Sequence, residues 1–354
     1  MSARENQVSG LGELSPWAAH FCLGIEAFLK EQIPIPLAGQ SVLAAFSGGL
    51  DSTALLHILR LLAPRLGFTL HAAHLDHGLR PESAAQAQTV VQLCQDLGLA
   101  CAVRAVDVAA LSRQGGQGLE ETGRRVRYAF LAEVRSETGA AAVITAHQLD
   151  ELAEDVLMRL LRGTGWPGLG GMLAWDPRRR LLRPLLLTPK EDLRRFLGEL
   201  GQGWLEDSSN TDRAFLRNRV RLDLLPLFKR ENRQFVQVTA ELWRQARIDA
   251  SFFEDMTAKS LAPAQEPGRE HFLGNEALLA LPQALRLRLY KRTVENLGPG
   301  QPLAQTLRGL DLAWSAKRVG SVFQFPGGKE AKVERLGISF KPGAAADQTL
   351  TRNT

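Results

Sequence analysis

The sequence predicts an α/β protein: a parallel sheet with helices on both faces, followed by a mainly helical C-terminal region with a small β-hairpin. Three observations predict it. Short apolar runs alternate with longer helical patterns between residues 42 and 161. Glycines and polar caps mark the junctions, as strand-to-helix connections require. Beyond Arg217 the apolar period becomes helical and stays so to about residue 297.

The elements follow in order. Val42–Phe46 reads as a buried strand, and Thr53–Leu62 as a helix with Leu55, Ile58, Leu59 and Leu62 on one face. Leu70–Leu75 is a second strand. Ser83 then caps a helix whose face carries Ala87, Val90, Val91, Cys94 and Leu97, ended by Gly98. Ala100–Val106 is a third strand, Leu119–Glu137 a helix, Ala141–Ala146 a fourth strand and Asp150–Leu161 a helix closed by Gly163. This alternation implies parallel pairing with both faces covered, and ligands then bind at the carboxyl ends of the strands. Residues 163–171 are a glycine-rich connection. Thr188-Pro189-Lys190-Glu191 has the form of a capping box with Pro at the first helical position, and its helix ends near Gly201. Leu224–Phe253 is helical, Pro and Gly cluster at 262–268, and a last helix is expected from Pro282 to Leu297. Val322–Phe325, Pro326-Gly327-Gly328 and Lys329–Ile338 form a hairpin pattern, and 343–354 a loose tail.

Length and composition bound the function. The 354 residues suffice for two or three domains, and the main boundary is expected near 215, dividing 1–215 from 216–354. Hydrophobic residues at 45% and charged residues at 23% exclude a disordered chain or a fibre. The net charge of +5 biases mildly toward polyanions. Residues 177–230 carry 13 Lys and Arg against 7 Asp and Glu, a larger surplus than the whole chain has. Clustered guanidiniums of this kind suit an RNA backbone, although many are simply solvated. Cys22, Cys94 and Cys101 form no C-x-x-C, which argues against a disulfide framework, a cysteine zinc site and an iron–sulfur cluster. No apolar run reaches the length of a membrane span, and Met1–Ser15 lacks the pattern of a signal peptide. The expected location is the cytoplasm. Oligomeric state is not encoded in any pattern visible here.

One motif carries chemistry. Ser47-Gly48-Gly49-Leu50-Asp51-Ser52 follows the first strand and opens the first helix. Two glycines let backbone N–H groups approach a bulky anion, and the helix N-terminus adds partial positive charge. Ser47, Ser52 and Thr53 add hydroxyl donors. Asp51 would repel a bare phosphate, so its presence suggests a bridging Mg²⁺. The loop is neither a Walker A loop nor G-x-G-x-x-G. A plain strand–turn–helix with Ser and Asp caps is the alternative.

The six residues resemble the pyrophosphate loop of the N-type ATP pyrophosphatases, the PP-loop superfamily. Four further segments resemble one branch of it, the tRNA(Ile)-lysidine synthetases. They are His74-Leu75-Asp76-His77-Gly78-Leu79-Arg80; Glu120 with Arg124, Arg127 and Tyr128; Thr145–Glu154 with Arg159, Arg162-Gly163-Thr164-Gly165 and Gly168-Leu169; and Glu206–Asn210 with Arg217-Asn218-Arg219-Val220-Arg221 and Pro226. Together they cover about 41–228. The resemblance implies an adenine-nucleotide α-hydrolase-like sheet. It also implies a ligase that uses ATP to adenylate O2 of the wobble cytosine, C34, in a tRNA(Ile) with a CAU anticodon. Pyrophosphate leaves, the side-chain amine of free L-lysine attacks C2, and AMP leaves to give lysidine. The C-terminal region would grip the tRNA body.

On that resemblance, Ser47, Gly48, Gly49, Leu50, Asp51, Ser52 and His74 contact ATP, with Asp51 also on Mg²⁺. Asp51, Asp150 and Glu154 are the expected catalytic groups. His147 and Glu151 recognise lysine, and Arg124, Arg127, Arg159, Arg162, Arg217, Arg219 and Arg221 contact the tRNA. Acids in a helix first turn also serve the macrodipole, and Asp155 can pair with Arg159, so the cluster at 150–155 has a structural alternative. Glu151 stands where the family usually has Asp, and Asp155 where Thr is usual. His74 and Asp76 share a strand face, but shaping of the pocket is expected there and no zinc site. Trp166 and Trp204 are candidate stacking partners for a base or packing residues of a lid. Competing readings are a tRNA thiolase, disfavoured by the cysteine spacing, an amide-forming GMP, NAD or asparagine synthetase, disfavoured by the basic stretch, and a non-catalytic RNA-binding module.

Overall fold

The structure is a computed structural model that describes residues 8–78, 83–206, 213, 215–260 and 268–342. Leu79-Arg80, Asp207–Asn210 and the tail 343–354 lie outside the described residues. The chain divides into two compact units, Met1–Thr164 with Leu169–Trp243, and Gly165–Gly168 with Arg244–Thr354.

The first unit opens with helix α1 (Pro16–Gln32). Ser15 caps it by accepting the Ala18 N–H at 3.1 Å, and Pro16 fills the first turn. There follow β1 (Ser41–Ala45), α2 (Leu50–Leu66), β2 (Thr69–Asp76), α3 (Ser83–Asp96), β3 (Cys101–Ala105), α4 (Val108–Gly115), α5 (Leu119–Glu137), β4 (Ala142–Ile144), α6 (Leu149–Leu161), β5 (Trp175–Asp176), β6 (Leu181–Leu182) and α7 (Lys190–Glu199). The sheet order is β3-β2-β1-β4-β6-β5, parallel throughout except for the β5–β6 pair. Val42 is in register with Leu70 on one side and Ala142 on the other. The parallel sheet between helical layers agrees with the expectation.

Successive residues of β1 face opposite layers, as a strand requires. Val42 and Ala44 pack with Leu29, Leu55, Ile58, Leu59 and Phe196 of α1, α2 and α7. Leu43 packs with Phe130, Leu131 and Val134 of α5. The chain runs outward from β1 to β3 and then returns to place β4 on the other side of β1. The crevice where the order reverses is the usual ligand position of such sheets. Thr188 does not cap α7. Its own N–H is bonded to the Leu185 carbonyl, and Pro189 stands one residue before the helix as N-cap.

Residues 216–243 were expected beyond the boundary and lie within the first unit. They comprise α8 (Leu216–Arg219), a π-turn (Val220–Leu224), α9 (Leu225–Glu231) and the start of α10 (Phe235–Ser260). Val220, Leu225, Val236, Ala240 and Trp243 share one apolar cluster with Leu152, Val156 and Leu157 of α6. A helical period shows that a segment is helical, not which core it joins.

The second unit contains β7 (His271–Gly274), α11 (Asn275–Leu279), α12 (Gln283–Asn296), α13 (Ala304–Ser315), β8 (Val322–Phe325), β9 (Lys329–Glu334) and β10 (Gly337–Lys341). The helix at 282–297 is therefore not the last. The hairpin belongs to a four-stranded antiparallel sheet ordered β7-β10-β9-β8. A lone hairpin has nothing to bury its apolar face against; here Leu307, Leu310 and Trp314 of α13 pack with Ala331, Val333 and Ile338. Gly327 turns the hairpin at φ +85°, and a Cβ there would meet the Pro299 carbonyl oxygen at 2.3 Å.

Asp311 is 1% exposed and accepts hydrogen bonds from Arg286 at 2.8 and 3.1 Å, Gln283 at 2.9 Å and the Tyr290 hydroxyl at 3.2 Å. Asp311→Ala would leave a largely buried guanidinium unpaired. The expected loss is about 3–5 kcal/mol in this unit, measured by urea unfolding followed through Trp314 fluorescence.

Candidate active site

The loop after β1 turns at Gly48, whose φ is +84°. A Cβ there would lie 2.7 Å from Leu205 Cδ1 and 3.0 Å from Val90 Cγ2. The Leu205 N–H donates to the Gly48 carbonyl at 2.8 Å, which lays residues 204–206 against the loop. Ser52 Oγ accepts the Ser47 N–H at 3.2 Å, lies 2.9 Å from Ser47 Oγ and donates to the Gly49 carbonyl at 3.0 Å. Both hydroxyls therefore brace the loop in this state. Gly49 is the N-cap of α2, and the first-turn N–H groups of a helix have no intrahelical acceptor. Two glycines, a helix start and a strand end thus produce an anion cradle at the switch point of the sheet.

The cradle opens into a cavity of about 880 Å³. Ser47, Gly49, Leu50, Asp51 and Ser52 line it, with His74, Asp76 and His77 from the end of β2, and His147, Asp150, Glu151 and Glu154 from the β4–α6 turn. His74 donates from Nδ1 to the Phe46 carbonyl at 2.9 Å, which fixes its tautomer. Asp76 accepts the Gly78 N–H at 2.8 Å, and His77 Nε2 takes a hydrogen bond from Arg127 at 3.1 Å. The three side chains shape the strand end. No group of three or more His, Cys, Asp or Glu among the described residues is arranged to hold a metal.

Asp51 departs from ordinary carboxylate behaviour. Burial pushes its carboxyl up to about 6, with the Glu151 and Asp150 charges adding and Lys190 and Arg221 opposing. Its Oδ1 is buried with no hydrogen-bond partner. A hard, partnerless carboxylate oxygen beside a phosphate cradle fits Mg²⁺, which is commonly bound by one or two carboxylates and substrate phosphates. His147 shares a 2.9 Å hydrogen bond with Thr145 Oγ1. Burial, then the charges of Arg183, Arg217, Arg124 and Arg127, hold its imidazole well below the usual range, so it is neutral at pH 7.

The acidic residues of α6 are mostly paired. Glu154, 2% exposed, accepts from Arg221 Nε at 2.6 Å and Arg217 Nε at 3.2 Å. Glu151 accepts from Arg217 at 3.2 Å and lies 3.5 Å from Arg221. Asp155 pairs with Arg159 at 2.7 Å. Asp150 is paired through Oδ1 with Lys229, while its Oδ2 is buried without a partner.

Arg127 and Arg221 line the cavity, and Arg217 reaches it through the two glutamates. Arg124 stacks on the ring of Tyr128, itself a cavity residue, at 5.0 Å. Arg159, Arg162 and Arg219 do not line the cavity; Arg219 donates to the Arg213 carbonyl at 2.9 Å. Trp204 lines the cavity. Trp166 does not, and its indole N–H donates to Asp249 at 2.7 Å. Lys190, Arg194 and Lys229 line the cavity although the sequence marked them only as part of a basic stretch. Lys190 carried a signal as the basic residue at the helix start of the Thr188-Pro189-Lys190-Glu191 pattern, whereas Lys229 carried none beyond the basic stretch.

A PP-loop domain model matches residues 21–228. The tRNA(Ile)-lysidine synthase of Nitratidesulfovibrio vulgaris is 47% identical over 322 residues, covering 86% of this chain and 93% of that protein. Those of Thermus thermophilus and Enterococcus faecalis are 38% and 36% identical, covering 78% and 65% of this chain. The chain matches about half the length of these two. Among solved structures, a U34-tRNA thiolase from Methanococcus maripaludis, with its [4Fe-4S] cluster, aligns at a TM-score of 0.50 with 16% identity. It covers 63% of this chain and 78% of that one, and shows the shared fold. None of Cys22, Cys94 and Cys101 lines the cavity here.

Two outcomes test this geometry. Gly48→Ala forces a non-glycine residue to positive φ at roughly 1–2 kcal/mol and drives Leu205 outward, so ATP affinity falls and urea unfolding shifts to lower concentration. Asp51 binds its proton more tightly folded than unfolded, so it lowers stability as pH rises from about 4 to about 6. In metal-free buffer Asp51→Asn should therefore stabilise the protein at pH 7.5 by roughly 1–2 kcal/mol, allowing for the lost helix-start carboxylate. The gain should vanish below about pH 4, as measured by denaturation at the two pH values.

Proposed function

The chain belongs to the tRNA(Ile)-lysidine synthase family and is an enzyme of that type built on a PP-loop ATP-binding domain, and from that premise we propose how its cavity joins lysine to RNA. The substrates are ATP, free L-lysine and a tRNA(Ile) with a CAU anticodon, and the compartment is the cytoplasm. The observation that carries the reading is the shared cavity. A glycine turn with a partnerless Asp51 oxygen and an acidic helix start open into the same space.

The triphosphate rests on the N–H groups of the 47–52 loop and the start of α2, with Lys190 and Arg194 lining the same cavity. Asp51 would hold Mg²⁺, which offsets charge on the leaving pyrophosphate. Cytosine O2 attacks the α-phosphorus and pyrophosphate departs, which makes C2 electrophilic. An anticodon base is already splayed, so its entry is cheap. Tyr128 and Trp204 offer flat faces at the cavity wall.

The lysine side-chain amine must lose a proton to attack C2. With an ordinary pKa near 10.4, reaching the neutral form at pH 7 costs about 4–5 kcal/mol. Both Glu154 oxygens are already occupied by two guanidiniums. Asp150 retains a partnerless oxygen, which suits it to bind the ammonium and take its proton. Glu151 and neutral His147 flank it. The C–N bond forms, the C–O bond to AMP breaks, and the proton leaves through the carboxylate. Arg217 and Arg221 complete the wall, and with Arg124 and Arg127 they supply positive charge for the anticodon phosphates. Arg159, Arg162 and Arg219, outside the cavity, are suited to more distant phosphates of the tRNA.

The assay combines the protein, ATP, Mg²⁺, labelled lysine and a CAU-anticodon transcript. Lysine should join the RNA with one pyrophosphate released per lysine. Asp51→Asn should reduce this rate by at least about a hundredfold while the protein stays folded. A variant with near wild-type turnover removes Asp51 from the metal-binding role.

A further inference from the structure

Asp150, an acidic side chain of the cavity, pairs with a primary ammonium. Glu151 and Glu154 are matched to guanidiniums, which are planar, always charged and strongly oriented. Asp150 is matched through Oδ1 to Lys229, whose alkylammonium is chemically the same group as the side chain of free lysine. The Asp150 side chain is 11% exposed and that of Lys229 35% exposed, and both line the cavity. Lys229 sits on α9, a helix of seven residues that starts at Leu225. Its long unbranched stem can therefore leave the carboxylate by rotamer changes alone, without unfolding the helix.

We propose that Lys229 is an affinity-setting positioning residue that occupies Asp150 as an intramolecular stand-in for the substrate ammonium and must be displaced when free lysine binds. The proposal rests on the reading that Asp150 receives the lysine side chain. The pairing has two consequences. It keeps a mostly buried carboxylate neutralised while the site waits, which an unpaired charge there could not be without cost. It also sets the affinity for lysine, because a tethered ammonium competes at an effective concentration on the order of millimolar. The tether lowers the apparent affinity of every amine by the same factor, and the ranking among amines is left to their other contacts.

The test is the lysine dependence of labelled-lysine joining to the CAU transcript at saturating ATP and tRNA, for the full chain and for Lys229→Met and Lys229→Arg. If Lys229 covers Asp150 in most free molecules, removing its charge lifts that occupancy penalty, and kcat/KM for lysine should rise about three- to tenfold through KM. Lys229→Arg keeps a cation on Asp150 and should leave KM at or above the wild-type value. Calorimetric titration of lysine into each protein without ATP or tRNA should show the same order of affinities. An unchanged or higher KM for Lys229→Met, in a protein whose melting temperature matches wild type, overturns the proposal and leaves the ligase reading standing. A fall in kcat and melting temperature together, with KM unmoved, marks a structural residue and overturns it too. Failure of the wild type itself to join lysine to the transcript overturns the ligase reading, and this proposal with it.

Discussion

The Glu154 carboxylate between Arg217 and Arg221 is the interaction on which the rest of the site depends. A carboxylate at 2% exposure is costly unless its lone pairs are filled. Two guanidiniums fill them, with contacts of 2.6 to 3.2 Å. Their chain segment is thereby tied to α6. Arg217 and Arg221 are four residues apart, so they project from the same side of the helix formed by α8 and the π-turn. A π-turn widens the helix by a residue, and such turns are frequent at functional sites. Here it directly precedes α9, which carries Lys229 to Asp150. One buried acid thus fixes the wall that faces the nucleotide loop.

The same region holds groups that stability alone would not retain. Asp51 Oδ1 and Asp150 Oδ2 are buried without partners. Each such group costs of the order of 1–3 kcal/mol relative to a satisfied one. Their neighbours explain how the fold tolerates them. Leu55, Leu56, Ile58 and Leu59 on α2 are wholly buried just beyond Asp51, and Leu149 and Leu152 bracket Asp150 on α6. The apolar burial of the two helices offsets the strained polar ends that they present to the cavity, which is the usual relation between a rigid scaffold and a reactive rim.

Strands β1 to β4 were legible in the sequence because each is a short apolar run bounded by a glycine or a cap. The 47–52 loop was legible for the same reason, since a phosphate cradle is local and six consecutive residues contain it. What the sequence concealed is non-local. The boundary near 215 followed a change of period, yet Val220, Leu225 and Trp243 pack on α6. Helix α1 buries residues 18, 22, 25 and 29 at helical spacing, but no motif drew notice to it. β5 and β6 are two residues each, too short for any period to register. Helix α13 was missed although Leu307, Leu310 and Trp314 carry a helical spacing.

The two halves of the cavity differ in legibility for a physical reason. Phosphate recognition uses backbone N–H groups, so its signature is a sequence that permits a backbone shape: glycine at φ +84° and a helix start behind it. Recognition of an amine uses side-chain charge, and a carboxylate in a helix first turn looks the same whether it serves the macrodipole, a salt bridge or a substrate. The sequence places Asp150, Glu151 and Glu154 within one turn and a half and cannot rank them. The ranking comes from partners 63 to 79 residues away: Arg217 and Arg221 occupy Glu154, and Lys229 occupies one oxygen of Asp150. Chemistry that depends on which charge remains uncommitted is therefore written in long-range pairing, and only the fold brings those partners to the acids.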